Sequence, residues 1–264
     1  MVKGIEKFRE YFSGFEDNYI IIGGTACDIL EEKAGQPPRA TKDIDIILVV
    51  EALTPAFVKR FWKFVKEGEF QSREKGNGKH EYFRFLKPGK DEFPSQIEIF
   101  SKVPDMIKVP EDAVLTPVPV DEDLSSLSAI LMNEEYYDFT LAHSDIEDKV
   151  HIANIESLIV LKAKAFNDLS NRKASGEKID SKNITKHKND VFRLVTMLGE
   201  ADNYSLSPDI FLDLTVFCKA IHGSMPNKDF FKSIGLPGVK PEGVFGRLCS
   251  AFNIEMDDDN TVRL

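Results

Sequence analysis

The chain has 264 residues, 34 Lys and Arg against 44 Asp and Glu, a formal net charge of −10, and 42% hydrophobic residues. That length and composition fit one large soluble domain or two small ones. The acidic balance argues against a broad nucleic-acid coat, because phosphate contacts need clustered Lys and Arg.

The longest apolar run is too short to span a bilayer, and Met1 to Glu6 has no apolar core of a signal peptide. Cys27, Cys218 and Cys249 lack CxxC spacing, so neither a disulfide framework nor a zinc site is expected, and a cytoplasmic location is. The charge is uneven. From Asp105 to Lys149 there are 12 acids and 2 bases, from Lys59 to Lys90 4 acids and 10 bases, and from Lys162 to Arg193 4 acids and 9 bases. The basic stretches are solvated helix faces or one positively lined groove on an acidic body.

In chain order, Val2 to Phe15 reads as an amphipathic helix through Ile5, Phe8 and Phe12. Tyr19 to Ile22 reads as a strand, and Thr25 to Glu32 as a helix ending near Gly35. Thr41 to Val50 is an acid-led strand. Thr54 then Pro55 opens the next helix, with Phe57, Phe61, Phe64 and Val65 as its stripe. Glu67 to Lys79 reads as a charged loop, followed by strands at His80 to Leu86 and Ser95 to Ser101. Leu115 to Val120 is an edge strand or connector, since prolines interrupt it.

In Leu124 to Asn154, Tyr136, Tyr137 and Phe139 favour short strands after a helix. From Ile155 the pattern is helical, with stripes at Leu158, Leu161, Ala165 and Leu169, at Val191, Leu194, Val195 and Leu198, and a third helix over Ile210 to Ile221. The expectation is therefore an α+β fold: a mixed β-sheet with helices over residues 1–122, then a mainly helical domain over 123–264.

Asp43 and Asp45 are two apart in a strand, so Thr41, Asp43 and Asp45 share one face, with Ile44 and Ile46 on the other. The unbroken apolar continuation Ile46 to Val50 reads as a strand covered on both sides. Paired carboxylates there repel and resist desolvation, which calls for a divalent cation bound to phosphate. A two-metal phosphoryl-transfer site uses carboxylates around cations roughly 3.5–4 Å apart. Glu98, an acid between Ile97 and Ile99, is the candidate third carboxylate from an adjacent strand.

Upstream, Gly23, Gly24 and Thr25 join strand to helix: glycines let backbone approach phosphate, the helix start offers unpaired N–H groups, and Thr25 can add a hydroxyl. Gly76-Asn77-Gly78-Lys79 lacks the full phosphate-loop spacing, the five histidines lack metal-ligand spacing, and no Ser or Cys sits in a nucleophile frame.

Gly23-Gly24-Thr25-Ala26, Arg39-Ala40-Thr41-Lys42-Asp43-Ile44-Asp45 and Glu98 together resemble the nucleotidyltransferase superfamily related to DNA polymerase β. The spacing and the Arg-x-Thr-x-Asp-Ile-Asp form are similar to its AbiEii/AbiGii toxin branch, as are Leu158 to Ala165 and Lys186 to Leu194. The resemblance spans roughly residues 20 to 195 and leaves the tail uncovered.

It implies an Mg²⁺-dependent transfer of NMP from a nucleoside triphosphate to an acceptor hydroxyl on tRNA or protein. Asp43 and Asp45 would hold both Mg²⁺ ions, Glu98 would complete the acceptor-side metal, and Glu98 or Asp45 would take the acceptor's proton. Lys162, with Lys164 as its rival, corresponds to a phosphate-binding lysine, and Lys188 and Asp190 fall at a second nucleotide-binding motif. Asn189 stands where that motif often carries a carboxylate. The branch implies growth inhibition and a co-encoded antitoxin partner. Two other functions remain open: a small-molecule nucleotidyltransferase, towards which an acidic surface attracting cationic acceptors leans, and an inactive fold kept as a binding module.

Overall fold

A computed structural model describes residues 2–39, 41–74, 82–100, 115–117, 130 and 133–256. The expectations for 75–81 (including Gly76 to Lys79 and the start of the strand at His80), Ser101, 118–129 and the acidic tail Asp257 to Asp259 lie outside these residues. The chain divides into two compact units, Met1–Glu32 with Pro38–Asn154, and Lys33–Pro37 with Ile155–Leu264.

The first unit is built on an eight-stranded mixed sheet. Its strands are β1 (Tyr19–Ile22), β2 (Asp43–Leu48), β3 (Gln71–Glu74), β4 (Tyr82–Leu86), β5 (Gln96–Phe100), β6 (Leu115–Pro117), β7 (Ser144–Glu147) and β8 (Val150–Ala153). They lie in the order β6-β3-β4-β5-β2-β1-β8-β7. The β1/β8, β2/β5 and β3/β6 pairs are parallel and the others antiparallel. Helices among its described residues include α1 (Ile5–Phe12), α2 (Gly23–Lys33), α3 (Pro55–Glu67) and α4 (Glu134–Ala142).

One sheet face carries Tyr19, Ile21, Ile44, Ile46, Ile97 and Phe85, brought together by register. It packs on the aromatic stripes of α1 and α3: Phe8 and Phe12 meet Tyr19 at ring-centroid distances of 5.2 and 6.0 Å, and Phe61 meets Phe85 at 5.4 Å. Phe8, Phe12, Phe57, Phe61 and Phe64 are fully buried, each contributing about 1.5–3 kcal/mol of transfer free energy. Thr54 caps α3 as its sequence predicts, its hydroxyl accepting from Phe57 N at 3.2 Å with Pro55 next. The opposite face carries Ile20, Ile22 and Ile47, also buried, beside the acidic residues. Strand β2 is thus covered on both sides, as its apolar run implies.

Three expectations change here. Gln71 to Glu74 is a strand, not loop, and its polar sequence has no apolar alternation to reveal it. Tyr136, Tyr137 and Phe139 lie in helix α4, because Asn133 caps it through Glu135 N and Tyr136 N and two glutamates favour its first turn. The aromatic preference for strands yields to that cap; the strands β7 and β8 follow the helix. The boundary expected after residue 122 falls at Asn154 instead, since β8 joins the sheet by pairing Ile152 with Ile21.

The second unit is helical: α5 (Ile155–Ala174), α6 (Ser181–Val195), α7 (Pro208–His222), α8 (Lys228–Ser233) and α9 (Pro241–Ala251). Helix α5 packs on α6 and α7, with Leu158, Leu161, Leu169, Val191, Leu194 and Val195 buried. Residues 33–37 belong to this unit through Gln36 Nε2 donating to Thr196 Oγ1 at 3.0 Å and Arg193 Nη2 to Pro37 O at 2.6 Å. Among the described residues, no helix is long and apolar enough to cross a membrane.

Candidate active site on the acidic face

Antiparallel pairing sets Ile22, the last residue of β1, opposite Asp45 of β2. Helix α2 starts at the next residue, Gly23, so the helix N-terminus and the Asp45 carboxylate meet at one point. Gly23 has φ +68°, and a β-carbon on it would overlap Asp45 Oδ2. A β-carbon on Gly24 would stand 2.8 Å from Thr41 Oγ1. The two glycines open α2, Gly23 with left-handed backbone, and lacking side chains they let the helix close onto the acidic strand.

Thr25 is fully buried, and its hydroxyl donates to the Asp43 carbonyl. It fastens α2 to the start of β2, whereas the sequence offers it as a phosphate ligand. Asp28 adds a second tie that the sequence reading missed. Its carboxylate is 2% exposed and accepts from Arg39 N at 3.1 Å and Thr41 N at 2.6 Å. It holds the segment leading into Asp43. Asp28→Asn replaces one acceptor oxygen of a buried side chain with a donor facing a backbone N–H. It is expected to cost about 2–3 kcal/mol, read as a lowered urea midpoint at unchanged slope.

Asp43 and Asp45 are both partly exposed on the shared face, while Ile44 and Ile46 behind them are buried. Glu98 is the parallel-register partner of Asp45, and Arg84 of β4 is the antiparallel partner of Glu98. One row across three strands thus reads Asp45, Glu98, Arg84. Within it Glu98 sides with the arginine: Arg84 Nη2 lies 2.6 Å from Glu98 Oε1, and Gln96 Nε2 donates to the same oxygen at 2.7 Å. Both side chains of the pair are only 9% exposed.

Among the described residues, no three His, Cys, Asp or Glu side chains converge to hold a metal ion. Asp43 and Asp45 fit Mg²⁺ by donor chemistry, two hard carboxylate oxygens from one strand face. Glu98, expected as the third ligand from an adjacent strand, does stand beside Asp45 in register, and its Oε1 contacts Arg84 and Gln96.

The remaining candidates lie in the helical unit. Lys162 is buried and pairs with Asp190, its Nζ 3.2 Å from Asp190 Oδ2. Lys164, its rival, pairs with Asp213 at 2.6 Å. Lys188 donates to Ser224 O at 2.6 Å, and burial lowers its pKa. These contacts join α5, α6, α7 and the residues after α7 within the unit.

No protein-family model and no curated protein matches the chain. Among solved structures it is similar to an antigenic nucleotidyltransferase-like protein from Paracoccidioides brasiliensis, at 15% identity and a TM-score of 0.43, over 92% of this chain and 94% of that one.

Proposed function

We propose that the chain is an Mg²⁺-dependent nucleotidyltransferase that moves NMP from a nucleoside triphosphate to an acceptor hydroxyl. The observation that carries this reading is the closure of the Gly23–Gly24 helix start onto Asp45 beside Asp43. An anion-binding helix terminus and a cation-binding carboxylate pair thereby share one corner, the arrangement a metal-bound triphosphate requires.

Asp43 and Asp45 hold the cation. When bound, Mg²⁺ neutralises charge on the phosphates and acidifies the acceptor hydroxyl. The N–H groups at the start of α2 orient the phosphates. Asp45 is the carboxylate proposed to take the acceptor's proton, since Glu98 Oε1 is engaged by Arg84 and Gln96. The acceptor oxygen then bonds to the α-phosphorus as the bond to pyrophosphate breaks.

The acceptor we propose is macromolecular, a tRNA end or a protein hydroxyl, in a toxin-type enzyme paired with an antitoxin. A second reading is favoured by the net charge of −10, which would steer a small cationic acceptor to the surface.

The test is purified protein with Mg²⁺, a panel of α-labelled nucleoside triphosphates and cell lysate. Label in RNA or protein supports the first reading and label confined to small amines with hydroxyls the second. Transfer to no acceptor refutes both.

A further inference from the structure

Glu98 faces a choice that the sheet makes explicit. Its Cα partners on the two neighbouring strands are Asp45 on β2 and Arg84 on β4. All three side chains rise from the same face, so a change of side-chain torsion carries the Glu98 carboxylate towards either neighbour. It lies with Arg84, in a short charge-assisted contact reinforced by Gln96. In this low-exposure setting an opposite charge outcompetes a like one, because Asp45 repels Glu98 while Arg84 attracts it.

Resting on the proposed cation site at Asp43 and Asp45, we infer that Arg84 is a positioning residue that withholds Glu98 from that site. The divalent cation is held by the two aspartates alone, and Arg84 sets how many carboxylates the site presents. The chain's own charge pattern thereby limits its metal affinity: adding an anionic ligand tightens a hard-cation site, and removing the guanidinium adds one.

Calorimetric titration of the full chain with Mn²⁺ alone tests this. Wild-type protein is expected to bind, and Asp45→Asn to weaken binding about tenfold or more. Glu98→Gln keeps the shape and the contacts to Arg84, and is expected to leave Mn²⁺ affinity within about twofold, because this carboxylate is not a ligand. Arg84→Met is expected to tighten binding about tenfold, and Arg84→Met with Glu98→Gln to return it to the wild-type value.

Loss of affinity in Glu98→Gln equal to that in Asp45→Asn overturns the inference while leaving the cation site in place. Absence of Mn²⁺ uptake by the wild type, or an unchanged Asp45→Asn, overturns the cation site and the inference together. The Glu98→Gln arm decides the matter even where Arg84→Met does not fold.

Discussion

Asp45→Asn is expected to reduce nucleotidyl transfer on the order of 10³-fold while leaving the unfolding midpoint nearly unchanged. Asparagine keeps the side-chain shape against Gly23, whose missing β-carbon is what admits that side chain. It removes the negative charge that offsets a cation and the base proposed to take the acceptor's proton. Cation stabilisation of developing charge contributes several kcal/mol, and each 1.36 kcal/mol is a factor of ten, which sets the size of the loss. Asp43→Asn should behave similarly, since both carboxylates stand on one strand face. The measurement is single-turnover transfer of label with saturating Mg²⁺, alongside urea unfolding. Transfer within tenfold of wild type in a folded Asp45→Asn protein removes the carboxylate pair from the mechanism.

Lys162→Ala is expected to destabilise the chain by about 3–5 kcal/mol, because it leaves Asp190 charged and buried without its cation. The side chains of the pair are 10% and 3% exposed, so water compensates little. The double change Lys162→Met with Asp190→Leu is expected to recover most of that stability or exceed it, since well-packed apolar replacement of a buried ion pair is often neutral or favourable. The double variant also separates structure from binding. If Lys162 serves nucleotide phosphate as the sequence resemblance implies, the folded double variant loses triphosphate affinity. If the pair serves packing alone, triphosphate affinity survives. Thermal unfolding gives the first readout and nucleotide titration the second.

The aspartate pair was legible in the sequence because a strand's period of two is short-range: Asp43 and Asp45 share a face whatever else the fold does. The Gly23–Gly24 start was legible for its missing side chains, although its helix begins two residues earlier than the first β-branched or apolar position suggests. Glu98 was legible as an acid from the strand beside the aspartates, where register sets it opposite Asp45, but its pairing with Arg84 was not. That pairing is set by the register of β4 and β5, which no spacing along the chain reveals. Arg84 went unremarked for the same reason, and Asp28 because its acceptors' partners are backbone amides of a segment after the helix. Helix α4 was hidden by aromatics that usually prefer strands, and β3 by a polar run with nothing apolar to mark it.

The parallel pairing of Ile21 with Ile152 governs the order in which this protein can be assembled. A ribosome releases β1 early, and β2 can zip onto one flank at once, but the other flank has no mate until β8 emerges far downstream. Until then β1 presents bare amides and carbonyls, a template for any passing extended chain. Such remote closure slows folding, and a fragment stopped short of Val150 carries that open flank permanently, so it should collect in the insoluble fraction when expressed.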